Sequence, residues 1–162
     1  MTQPTPTEVQ PQPPPSEFAT FYADEWPGAI RLAALLSQDA RVAEDLAQEA
    51  FARIFPKWDD VQNPHAYLRV AIVNACRSWQ SRRHTERVKL PLVANATFVE
   101  LGFDALADAV AALPYRQRAV LVLRYYLDLK ESEIADAIGC RPGTVKSLTS
   151  RALAALRKEV EQ

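Results

Sequence analysis

The residues best suited to chemistry lie between Arg141 and Lys158. Arg141, Lys146, Arg151, Arg157 and Lys158 are interspersed there with Thr144, Ser147 and Ser150, and no acidic residue falls between Pro142 and Lys158. Lysine and arginine address guanine edges, serine addresses either base type, and a cation-rich surface attracts phosphates. The chemistry on offer is recognition of double-stranded DNA. Arg141 and Thr144, beside a helix start, suit phosphate contacts.

Bond-making chemistry has no comparable support. His65, His84, Cys76 and Cys140 are not spaced as metal ligands. Glu44-Asp45 and Asp59-Asp60 pair carboxylates without a surrounding polar pocket, and the four glycines are too scattered for a phosphate loop. The expectation is a protein without catalytic residues, metal or cofactor.

The elements that must position the basic residues are legible around them. Val145, Thr149, Ala152, Leu153 and Leu156 recur at helical spacing, and Pro142 suits a first helical turn. Ahead of it, Ile134, Ala135 and Ile138 form the apolar stripe of a short acidic helix. Gly139 ends that helix, because glycine enters the left-handed region without a side-chain penalty. An acidic helix, a glycine turn and a basic helix describe a helix-turn-helix, although an αα-hairpin with a solvated basic face fits the same pattern. Leu148 falls at the rim of the expected reading face.

Two further surfaces stand out against a net charge of −1. Residues 16–63 carry nine acidic and four basic side chains, whereas residues 64–90 carry six basic and one acidic. Local blocks of this kind, rather than net charge, govern attraction to phosphates. A helix over about Asp39 to Phe55 buries Val42, Leu46, Ala50, Phe51 and Ile54, and Pro56 ends it. It displays Glu44, Asp45, Gln48 and Glu49, a stripe that would repel DNA and so points to a protein partner, with a solvated face as the competing reading. A helix opening at Asn63-Pro64 and running to about Arg83 places Tyr67, Leu68, Ala71, Ile72, Ala75 and Trp79 on its core face. Asn74, Arg77, Trp79, Arg82 and Arg83, with Tyr67, combine cations with aromatic rings, which suits unpaired bases; burial of Tyr67 and Trp79 is the competing reading.

The remaining text sets the organisation. Residues 1–15 hold six of the twelve prolines and little apolar mass, and are expected to be a disordered leader. Helical text resumes with Ser16-Glu17 as a cap, and Pro27 is expected to kink or break it near Trp26. Residues 91–103 read as a flexible linker. Short helices follow over Asp104–Leu113 and Pro114–Leu127. The fold class is all-α: two small helical bundles, over 16–90 and 104–162, joined by that linker. No apolar run approaches the roughly 20 residues that span a bilayer. The N-terminus does not read as a secretory signal, and two distant cysteines suit a reducing cytoplasm.

The blocks AEDLAQEAFARIFPKW, NPHAYLRVAIVNACRSWQSRR and ALPYRQRAVLVLRYYLDLKESEIADAIGCRPGTVKSLTSRALAALR, in that order, resemble the sigma-70 family. The likeness is to extracytoplasmic-function (group IV) RNA polymerase sigma factors, of the actinobacterial sigma-E-like branch, and covers nearly everything from Glu17 to Lys158. It implies that 16–90 is sigma region 2 and 104–162 sigma region 4. Glu44, Asp45, Gln48 and Glu49 would then contact the clamp helices of core polymerase. Asn74, Arg77, Trp79, Arg82 and Arg83 would engage the melted minus-ten element and a flipped base. Arg141, Thr144, Lys146, Ser147, Ser150 and Arg151 would read the minus-thirty-five element. An anti-sigma factor is a further implied partner. Two departures touch promoter choice: Arg141 replaces a serine cap common in relatives, and Leu148 replaces a polar residue. A stand-alone helix-turn-helix regulator is the alternative function.

Overall fold

A computed structural model describes residues 15–85 and 104–161 of the chain. The leader and the linker expected over 91–103 lie outside the described residues, Pro15 excepted. Among the described residues the secondary structure is entirely helical. The first bundle contains α1 (Ser16–Ser37), α2 (Ala40–Ile54), a 3₁₀ helix (Phe55–Asp60) and α3 (Pro64–Thr85). The second contains α4 (Asp104–Ala112), α5 (Tyr115–Leu121) running into a π-helical turn (Val122–Tyr126), α6 (Glu131–Ile138) and α7 (Pro142–Val160).

Local chemistry explains most boundaries. Asp39 caps α2, accepting the Arg41 backbone N–H at 3.0 Å. Asn63 caps α3 through the Ala66 N–H, also at 3.0 Å, and Pro64 takes the first-turn position where a missing donor is harmless. Two expectations need correction. Pro15, not Ser16, is the N-cap of α1, with no side-chain cap bond. Pro27 lies inside an unbroken α1; it sits on the exposed side with Ala23, whose freed carbonyl water can satisfy. Pro56 follows the end of α2 as expected, and the chain continues there as a 3₁₀ helix.

The two bundles are packed against each other. One contiguous core runs from Phe18, Leu36 and Phe51 through Ile72 and Cys76 to Val120, Leu123, Ile134 and Val145. This contact explains α3. Beyond the expected Leu68, Ala71, Ile72 and Ala75, it also buries Val73 and Cys76, while Tyr67 and Trp79 are only half-buried. A helix buried by its own bundle on one side and by a second bundle on another shows little amphipathic contrast.

Arg118 is the polar centre of this contact and is only 2% exposed. Its guanidinium donates to the Leu36 carbonyl at 3.0 Å, the Ala111 carbonyl at 3.0 Å, the Leu113 carbonyl at 3.4 Å and Gln80 Oε1 at 3.1 Å. Leu36 and Ala111 lie in the last turns of α1 and α4. Helix C-termini present unpaired carbonyls and a partial negative charge, so they receive a buried cation without a carboxylate. Burial nevertheless pulls the Arg118 pKa down to about 10. Nearby, the Tyr115 hydroxyl donates to the Val73 carbonyl at 2.7 Å, and burial pushes its pKa up.

Candidate nucleic-acid and protein interfaces

The basic surface is built on the α6–turn–α7 unit. At the entrance to α6, the Lys130 N–H donates to Glu133 Oε2 at 2.9 Å. Gly139 ends α6 at φ 69°, ψ 48°, and the Cys140 N–H returns to the Ala135 carbonyl at 3.0 Å. An added Cβ at Gly139 would meet nothing within 4 Å, so conformation rather than space calls for glycine. Arg141 then precedes α7 in extended geometry, with no side-chain cap. The Thr144 N–H closes the first turn on the Arg141 carbonyl at 2.9 Å.

Packing sets the roll of α7. Val145 and Ala152 are fully buried and Thr149 nearly so, its hydroxyl donating to the Val145 carbonyl at 2.8 Å. Arg141, Lys146, Ser147, Ser150 and Arg151 are consequently exposed, and Thr144 is half-exposed. Helical spacing puts Arg141, Thr144, Ser147 and Arg151 in one row, with Lys146 and Ser150 in a neighbouring one. The Ser147 hydroxyl donates to the Gly143 carbonyl at 3.2 Å, which leaves its lone pairs to accept from a base or water. Lys146 Nζ lies 3.9 Å from Glu131 Oε1 on α6. Leu148 is 9% exposed and joins the core; its place at the rim of the reading face is corrected to a supporting one.

On α3 the structure brings the expected residues together in pairs. Arg77 donates to Asn74 Oδ1 at 2.6 Å, and the Arg83 guanidinium lies 5.2 Å from the Trp79 ring centroid. A cation over a tryptophan face is held by the ring quadrupole. Arg82 is exposed and lies between the two pairs by helical position. At the other end of α3, Lys57, Asp60, Val61, Gln62, Asn63, Ala66, Tyr67 and Val70 line an open cleft of about 590 Å³. Of these, the sequence singles out only Asn63, as a cap, and Tyr67, as an aromatic for unpaired bases or for the core. Lys57, Asp60, Val61 and Gln62 come from the 3₁₀ helix and the loop after it, which have no helical period to betray them, while Ala66 and Val70 lie on α3.

On α2, Glu44, Asp45 and Gln48 are exposed and Glu49 is half-buried, paired with Arg53 at 2.7 Å. Beside this stripe, Phe18, Tyr22, Gln48, Phe51, Ala52 and Phe55 line an aromatic groove of about 300 Å³. Phe55 is 44% exposed, unusual for phenylalanine, while its ring packs 5.0 Å from that of Phe18. The sequence carried a signal for this groove in the FxxIFPKW text, but it read as a helix end rather than a surface.

No group of three or more histidine, cysteine or carboxylate side chains among the described residues could hold a metal ion. No described helix is long and apolar enough to cross a membrane. Burial pushes the Cys76 thiol up to about 12, so it is a packing residue rather than a nucleophile.

Residues 21–86 match the family model for Sigma-70 region 2, and residues 103–156 match that for Sigma-70, region 4. The RNA polymerase sigma-E factor of Streptomyces avermitilis is 35% identical over 153 residues, covering 90% of this chain and 86% of that protein. The ECF RNA polymerase sigma factor SigL of Mycobacterium tuberculosis is 32% identical over 145 residues, covering 82% of each. Among solved structures, the sigma factor RpoE in complex with the anti-sigma factor NepR from Bartonella quintana superposes with a TM-score of 0.75 at 24% identity, covering 91% of this chain and 98% of that one. CnrH in complex with the cytosolic domain of CnrY gives 0.66 at 20% identity, covering 89% and 87%. These structural likenesses are ones of fold. With two region models in the expected order and full-length relatives above 30% identity, the chain belongs to the sigma-70 family, in its extracytoplasmic-function group of RNA polymerase sigma factors.

Proposed function

We propose that this sigma factor acts in the cytoplasm, without catalysis of its own, by binding core RNA polymerase, delivering it to specific promoters and helping to melt the minus-ten element. Residues 16–90 act as region 2 and residues 104–162 as region 4. Glu44, Asp45, Gln48 and Glu49 meet the polymerase clamp helices. Asn74, Arg77, Trp79, Arg82 and Arg83 take the minus-ten strand. Arg141, Thr144, Lys146, Ser147, Ser150 and Arg151 take the minus-thirty-five duplex. The cleft of Gln62, Asn63 and Tyr67 receives a flipped base, where amides can address its edge and polar and aromatic walls offset a few kcal/mol of unstacking.

The observation that carries this reading is the coexistence of three separate exposed surfaces on one chain: acidic on α2, arginine-rich on α3, basic on α7. A stand-alone helix-turn-helix regulator would leave the first two without a task. An anti-sigma factor is a proposed partner, since the structural neighbour RpoE is seen with one. Permanganate footprinting tests the melting step. Thymines of the minus-ten element should become reactive only when core and sigma are both present. Reactivity with either alone, or with neither combination, would contradict the reading.

A further inference from the structure

Residues 1–14 join the described fold at the start of α1. They carry five prolines, Pro4, Pro6, Pro11, Pro13 and Pro14, and one charged side chain, Glu8. Pro15, the residue before α1, has φ −51° and ψ 139°, which is polyproline II geometry. Each proline also drives the residue before it towards that conformation. The text Pro13-Pro14-Pro15 therefore favours an extended, proline-faced approach to α1.

The aromatic groove beside α2 lies at this end of the bundle. Phe18, in the first turn of α1, packs its ring 5.0 Å from Phe55 and 5.2 Å from Trp58, both just past the end of α2. Tyr22 stacks on Trp26 at 5.1 Å and meets Phe51 at 4.6 Å, so ring-on-ring packing fixes the walls. The lining, Phe18, Tyr22, Gln48, Phe51, Ala52 and Phe55, carries no charge. A second depression, on the other flank of α1, holds Glu17, Asp24, Glu25 and His65. A proline-rich segment whose one charged side chain is a carboxylate suits the first and is repelled by the carboxylates of the second.

We propose that the groove is the docking site of the chain's own leader, residues 1–14, with its prolines seated on Phe18, Tyr22 and Phe55. Polyproline II is already ordered before it meets aromatic rings, so docking sacrifices little entropy. The Tyr22 hydroxyl and the Gln48 amide supply donors for backbone carbonyls, which polyproline II leaves unpaired. Reach is ample: at 3.1 Å per residue the leader spans about 43 Å, whereas Ser16 to Tyr22 covers about 9 Å of helix. The tether supplies an effective concentration on the order of 1 mM, so a contact with a Kd of about 0.25 mM is about 80% occupied. Gln48 is also assigned to the polymerase clamp, so a docked leader and core compete for this face. The competition rests on the sigma-factor reading; docking does not.

Paramagnetic relaxation in the full chain tests docking. A nitroxide is placed at Thr5→Cys in a Cys140→Ser background; Cys76 is fully buried and stays unlabelled. An undocked leader samples both flanks of α1, whereas a docked one broadens the amide signals of Gln48, Ala52 and Phe55 several-fold more than those of Asp24, Glu25 and His65. Replacing three prolines together (Pro11→Ser, Pro13→Ser and Pro14→Ser), or Phe55→Ala alone, should level the two sets. Equal broadening of both sets in the wild-type leader would overturn docking, as would a preference that either variant leaves unchanged. Spin-labelled chain mixed with an isotope-labelled chain lacking the nitroxide separates tether from neighbour. Groove broadening in that mixture would assign the site to a second copy and overturn the intramolecular contact. Core binding scores the competition: the triple proline variant should bind core polymerase about fivefold more tightly, as expected when an 80%-occupied site is freed. Equal affinity would overturn the competition. Absence of core binding by either chain would count against the sigma-factor reading and the competition together, while the relaxation comparison still judges docking.

Discussion

Lys146 of α7 and Glu131 of α6 approach to 3.9 Å across the turn of the helix-turn-helix. The lysine is exposed, so the pair is worth at most about 1 kcal/mol and is screened by salt. It nonetheless sets a carboxylate beside a cation proposed to contact DNA. Glu131→Gln should raise affinity for duplex carrying the minus-thirty-five element by up to about fivefold at low salt. Lys146→Ala or Arg151→Ala should cost about 1–3 kcal/mol on matched sites and less on mismatched ones. Fluorescence anisotropy on both duplexes checks this. An equal loss on every sequence would reassign the residue to phosphate contact.

Arg141 stands at the N-cap of α7 without capping it. A serine there would accept a first-turn N–H and steady the helix by up to about 1 kcal/mol, while removing a cation from the helix start. Arg141→Ser should therefore raise the melting temperature and weaken promoter binding. Thermal denaturation and anisotropy read the two effects, and a gain in both would mean that Arg141 holds no phosphate.

The groove beside the acidic stripe predicts a second class of polymerase-binding defect. Phe55→Ala removes a half-exposed ring, so it should cost about 1–3 kcal/mol of core binding, as an interface anchor does, with much less loss of fold stability. Reversing Glu44 and Asp45 to lysine should weaken the same binding, chiefly through association rate and with strong salt dependence. Surface-immobilised core polymerase resolves rate from affinity. Undiminished binding in both variants would return α2 to the role of a solvated face.

Asp39 predicts a pH dependence. Its carboxylate accepts from Arg41 three times, from the backbone N–H, Nε and Nη2, at 3.0, 3.0 and 2.8 Å. The Arg41 side-chain bonds hold its pKa below the ordinary 3.8, against the opposing effect of burial. A depressed carboxylate contributes stability above its unfolded value and loses it as pH falls through its folded value. Asp39→Ala should destabilise the first bundle by about 1 kcal/mol near neutral pH. The gap from wild type should close below pH 3.8. Urea titrations across that range decide it; a gap that persists in acid would contradict the assignment.

Much of the candidate surface was legible because local chemistry and helical period agreed. Gly139, Pro142 and the Val145–Ala152 spacing place the helix-turn-helix, and Asn63-Pro64 places α3. The acidic and arginine-rich stripes follow from the same period. What stayed hidden depends on contacts distant in sequence. Arg118, in YRQRAVLVLR, carries no local mark of burial and is buried only because the ends of α1 and α4 converge on it. Val73 looks peripheral to the stripe of α3 until the second bundle covers it, whereas Cys76 reads as a small core residue and is one. Leu148 reads as a rim residue but closes the core under α7. The Gln62 cleft is built from 3₁₀ and loop backbone, where no periodicity marks a surface.

The central claim is that one chain carries polymerase binding, upstream reading and melting. Run-off transcription with purified core polymerase on a library of fragments, randomised at the minus-ten and minus-thirty-five elements, tests it most directly. The account predicts that the chain selects a defined pair of elements and that transcription from them is lost on reversing Glu44 and Asp45 to lysine, with helicity intact. Transcription equal with and without the chain, on every member of the library, would contradict it.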